Sequence, residues 1–82
     1  MELKDTVELM QSSDYKERFK AEYQQTKIRY DGLCKMLVKW NAGKLEFTPT
    51  CPEALHLEQK RYMGEYLRVL EVRALQEGIE LD

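Results

Sequence analysis

Glycine, proline and cysteine are all scarce in this 82-residue chain, with four, two and two copies, and histidine and tryptophan occur once each. Each scarcity excludes something. Cys34 and Cys51 form no CxxC pair and have only His56 as a further soft ligand, so a zinc site lacks its donor set and both thiols read as reduced packing residues. The glycines are dispersed, which removes a phosphate-cradling loop. No serine or cysteine stands beside a plausible base, and no HExxH motif offers a metal site. Glu58 and Glu65 share a helix face two turns apart, but with Lys60 and Arg61 they make a solvated face, and His56 reads as a surface or packing residue. No catalytic residue, metal or cofactor is expected, and the chain does not read as an enzyme. Long apolar runs are also missing: nothing approaches the roughly 20 residues of a membrane span, and the opening MELKDTVELM is acidic where a leader would be basic. The expectation is a cytoplasmic chain with no membrane partner.

A basic excess is lacking too, since the net charge is −2, and direct nucleic-acid binding is therefore disfavoured. The total conceals an asymmetry. Residues 1–13 carry −2, residues 14–44 carry +4 and residues 45–82 carry −4. The cationic middle and the acidic remainder either attract each other, within or between chains, or the middle holds an anion.

What is present is periodicity. Phe19, Tyr23, Thr26, Tyr30, Leu33, Leu37 and Trp40 recur at alternating spacings of four and three, the pattern of a long helix laid along a partner. The sequence predicts this helix over 14–42, capped by Ser13 or Asp14, with Glu17 completing a capping box and Gly43 as a left-handed stop. Gly32 in its interior marks a close helix crossing or room for a ligand. Ahead of it, residues 1–13 form a short helical arm carrying Leu3, Val7 and Met10, an appendage outside the core. Residues 43–50 connect, with Leu45 and Phe47 covering the hairpin end. Thr50 caps a second helix over 51–77, and 78–82 is a tail. The fold class is all-α: one domain, an antiparallel two-helix hairpin with an N-terminal arm.

The second helix carries two apolar stripes, Leu55, Met63, Leu67, Leu70 and Ala74 beside Tyr62, Tyr66, Val69 and Val72. One partner covers one stripe. A chain this short also hides only about 60% of its unfolded surface. Both facts predict a homo-oligomer, dimer or higher, built as a helical bundle with Tyr62, Tyr66, Val69 and Leu70 at the interface.

In the first helix, Lys20, Lys27 and Arg29 flank the seam together with Tyr15. They serve either as ordinary rim residues setting partner register, or as a ligand wall in which aromatic faces stack on bases and cations hold phosphates. At these residues the chain resembles small phage and prophage proteins of gut bacteria. More distantly, its hairpin resembles the anti-CBASS and anti-Thoeris signal sponges, which sequester cyclic oligonucleotides or cyclic ADP-ribose signals as hexamers. Asp14, Tyr15, Lys16 and Glu17 stand where the anti-CBASS sponge has Gly-Tyr-Arg-Glu, and Leu70, Glu71, Val72, Arg73 and Ala74 match its Leu-x-x-Arg-Ala run. Tyr30 stands where the family has a phosphate-binding lysine, with Arg29 beside it and Lys27 one turn earlier. The resemblance implies a small anionic nucleotide ligand in the cytoplasm of an infected bacterium, held by Tyr15, Lys27, Arg29, Tyr30 and Arg73. Two other readings stand beside the sponge: an inhibitor that blocks a host defence protein with its acidic half, and a purely structural oligomer.

Overall fold

Asp14 starts the long helix. Its backbone is extended, and its carboxylate accepts the Lys16 amide at 2.9 Å, satisfying one of the donors that a helix start leaves unpaired. Glu17 does not close a capping box with it. Ser12 stands between them instead, accepting the Asp14 amide at 3.0 Å and donating its hydroxyl to Glu17 at 2.6 Å. In the computed structural model, which describes residues 1–81, a 3-10 turn at Leu3–Thr6 leads into α1 (Val7–Met10), followed by α2 (Tyr15–Asn41) and α3 (Glu53–Glu77). The described residues are all helix, turn or loop, with no strand. None of the helices is long and apolar enough to cross a membrane. Asp82, read from the sequence as part of the tail, lies outside the described residues.

Both long helices end in the same device. Gly43 and Gly78 sit at φ 72° and 69°, a left-handed conformation that a Cβ would strain. The next amides reach back five residues, Lys44 to the Lys39 carbonyl and Ile79 to the Ala74 carbonyl, both at 2.8 Å. At Gly78 this turn has a packing consequence. It folds Ile79 into the core at 6% exposure and brings Leu81 against the same cluster, so the stretch expected to be a tail closes the hairpin end. At the other end α3 begins at Glu53 rather than 51. Pro52 is its N-cap and Thr50 contributes no cap, because the extended Pro52 places its own carbonyl under the Leu55 and His56 amides. The connection is only partly covered by its apolar pair, since Leu45 is half-buried but Phe47 is exposed.

Phe19 and Tyr23 of α2 pack with Leu67, Leu70 and Ala74 of α3 and with Ile79, and Tyr30 leans on this cluster. Farther toward the connection, Trp40 meets His56 edge-on with 5.5 Å between ring centroids. The inner edge of α3 is therefore His56, Lys60, Met63, Leu67, Leu70 and Ala74, again at spacings of four and three. Leu55, assigned to this edge from the sequence, is about 100° off it and half exposed. Leu70, assigned to an interface between copies, is 1% exposed inside a single chain and belongs to the hairpin core. The close crossing is at Gly64, where a Cβ would come within 3.3 Å of the Tyr30 hydroxyl; Gly32 is exposed with nothing within 4 Å.

The N-terminal arm is a third packed element. Thr6 is 0% exposed, its hydroxyl donating to the Leu3 carbonyl at 2.7 Å and accepting from Gln25 Nε2 at 3.0 Å. Gln25 also reaches Met10, and the Arg18 guanidinium donates to the Ser12 carbonyl at 2.9 Å. The arm so covers a side of α2 turned away from α3, where Ala21 is buried. Nothing comparable covers α3 among the described residues. The molecule measures 43 × 25 × 18 Å with a radius of gyration of 14.9 Å, against about 12 Å for a sphere-like chain of this length. A layer this thin leaves Tyr62, Tyr66 and Val69 at 42 to 55% exposure along the outside of α3.

Candidate ligand-binding site

Tyr15 opens α2 and Arg73 lies in the penultimate turn of α3, and the antiparallel packing brings them together at the end of the hairpin remote from the connection. Arg73 Nη2 donates to the Tyr15 hydroxyl, Arg73 Nε donates to Glu77 at 3.1 Å, and the Tyr15 hydroxyl donates to the other oxygen of Glu77 at 3.0 Å. The guanidinium carbon lies 4.9 Å from the centre of the Phe19 ring, which is itself 6.2 Å from the Tyr15 ring. A guanidinium resting on an aromatic face is held in plane at little loss of hydration, the arrangement that suits recognition of a planar or phosphate-bearing anion. Tyr15 is 47% exposed, so its ring can still be stacked upon. Its phenol is held above the ordinary value, first by the hydrogen bond to Glu77 and then by slight desolvation, against the pull of Arg73.

The other three residues expected at the site lie elsewhere. Lys27 is 12 positions beyond Tyr15, about 18 Å along the axis. Its ammonium is 3.4 Å from Asp31 and 5.8 Å from the centre of the Tyr30 ring. Tyr30 lies over Gly64, its phenol pKa raised first by hydrogen bonding with Cys34. Arg29 is exposed and, two residues from Lys27, points about 200° away around the helix, so the two do not serve one phosphate within one chain. The structure thus brings Tyr15 and Arg73 together and separates both from the Lys27 and Tyr30 pair.

Sequence reasoning missed Phe19 and Glu77 as members of the cluster. The signal for Glu77 was available, since it stands four residues after Arg73 on the same helix face. Elsewhere on the molecule, a groove of about 540 Å³ lined by Tyr23, Glu71, Ala74, Leu75, Ile79, Glu80 and Leu81 has carboxylates and no cation on its walls. It repels anions. There the Tyr23 hydroxyl donates to Glu71 at 2.6 Å, and burial, followed by that bond, pushes the phenol up to about 12. No group of three or more potential metal ligands occurs among the described residues.

A family model described as Sequestin matches residues 13–76, more than three-quarters of the chain. The chain belongs to the Sequestin family. The matched span takes in the whole of α2 and nearly all of α3, with Tyr15 and Arg73 both inside it. No curated protein and no solved structure matches this Sequestin-family chain.

Proposed function

We propose that this Sequestin-family chain is a non-enzymatic phage anti-defence protein that binds and sequesters a cyclic nucleotide-type immune signal. The observation that carries the reading is the meeting of Tyr15 and Arg73, 58 residues apart in sequence, over the Phe19 ring. One cluster supplies a stackable aromatic face and a planar cation, the two elements a nucleotide needs from its binder. The family name, Sequestin, agrees with a role in sequestering. The separation of Lys27 and Tyr30 from this cluster is accommodated if copies associate and a ligand is held between one chain's hairpin end and another chain's mid-helix. The exposed stripe supports such association: Leu55, Gln59, Tyr62, Tyr66, Val69 and Arg73 follow one another at spacings of four and three, so an interface along it ends at Arg73.

Calorimetry against a panel of cyclic di- and trinucleotides and cyclic ADP-ribose isomers tests the proposal. At least one should bind, and Arg73→Ala should weaken it about ten- to a hundredfold, since a charge-assisted contact is worth roughly 1.5 to 3 kcal/mol. The bound molecule should be recovered intact after the protein is denatured. Absence of heat at millimolar ligand, or an Arg73→Ala variant that binds as well as the parent, would remove this reading.

A further inference from the structure

Glu77 is an odd residue for its position. It occupies the last turn of α3, where the partial negative charge of the helix end favours a cation, and that turn holds no basic residue. It also follows Arg73 by four, the less favourable order for an ion pair along a helix. Helix stability does not explain it; its contacts do. One carboxylate oxygen takes the Arg73 Nε hydrogen at 3.1 Å and the other takes the Tyr15 hydroxyl hydrogen at 3.0 Å. Those are the two donors that a pair of phosphate oxygens would use on the same cluster.

We infer that Glu77 is an internal competitor for the ligand's anionic group, occupying the Arg73 and Tyr15 donors in the free protein and swinging out when a phosphate enters. This rests on the sequestering function proposed above. Two consequences follow for affinity and choice of ligand. The apparent dissociation constant is the intrinsic one divided by the fraction of molecules with Glu77 displaced. A free carboxylate metabolite offers the donors nothing that the tethered Glu77 does not already supply at high effective concentration, whereas a phosphate brings more acceptor oxygens and more charge. The cluster is thereby set to reject carboxylates and admit phosphates.

The test compares Glu77→Gln with Glu80→Gln, each of which removes one negative charge near the same chain end. Glu80 lines the groove with Tyr23 and makes no contact with Arg73 among those described. Binding of the cyclic nucleotide panel and of inorganic pyrophosphate is measured by calorimetry on the full chain. Glu77→Gln should bind about five- to tenfold tighter than the parent, with Glu80→Gln within about twofold of it, and Glu77→Gln should let citrate compete where the parent does not. Circular dichroism on each variant checks that α3 is intact; Glu77→Ala is the substitute if the amide distorts the turn. If the parent binds and both Glu77 variants bind equally or more weakly, Glu77 positions Arg73, and the competitor role is overturned while sequestration stands. If neither parent nor variant binds any probe, the sequestering function fails and this inference with it.

Discussion

At the scale of single residues, tyrosines make hydrogen bonds between the long helices. Tyr23 is buried and donates to Glu71, and its phenol pKa is raised to about 12 by burial and then by that bond. A raised acid pKa means that the folded chain holds the proton more tightly than the unfolded one. The resulting stability is fully present below the ordinary tyrosine value near 10 and disappears as pH rises through about 12. Thermal unfolding followed between pH 9 and 12 should show a steep loss of stability that Tyr23→Phe flattens. An equal slope in the variant would show that Tyr23 is not the group responsible. The sequence placed Tyr23 on the seam but could not tell which of five tyrosines would be buried, because that depends on a partner 48 residues away.

At the scale of elements, the two helical glycines exchange roles between sequence and structure. Gly32, a costly residue in a helix interior, reads from the sequence as a close crossing or room for a ligand, yet it points to open solvent; Gly64 carries the crossing because Tyr30 lies across it. Gly32→Ala should therefore stabilise the chain by about 0.5 to 1 kcal/mol, by removing unfolded-state freedom at a site where a methyl group meets nothing. Gly64→Ala has the same propensity gain but presses on Tyr30, so it should fall short of Gly32→Ala by at least about 0.5 kcal/mol. Urea unfolding of the two variants checks this, and equal gains would mean that the helices do not cross as described. The long helices were legible from their periodicity and their glycine stops. The helical arm was legible too, but its packing was not, because its anchorage runs through Thr6 and Gln25, a polar contact that no apolar pattern announces. The Ile79 turn was equally hidden, since one apolar residue beyond a glycine carries no period.

At the scale of the whole molecule, the doubled apolar surface of α3 separates into a buried inner edge and an exposed outer stripe. Light scattering at micromolar concentration should return a dimer or higher multiple of 9.8 kDa. Two neighbouring substitutions distinguish the edges. Val69→Asp, on the stripe, should yield a folded chain of lower mass. Leu70→Asp, in the core, should unfold it, since an unpaired buried charge exceeds what so small a core tolerates. A monodisperse parent monomer would contradict the association. The candidate site was half legible: Tyr15 and Arg73 were singled out, but Lys27, Arg29 and Tyr30 were grouped with them without the axial distance that separates them. That distance also bears on how the chain closes. Trp40 and His56 meet across the short connection, Tyr23 and Glu71 across 48 residues, and Tyr15 and Glu77 across 62. A hairpin zips outward from its turn, each contact shortening the loop that the next must close. The end bearing Tyr15 and Arg73 therefore closes the longest loop, and the buried Phe19, Leu70, Ala74 and Ile79 cluster beside it offsets that cost. A ligand bound there as proposed would fasten that end, and amide exchange along both helices should then slow as occupancy rises.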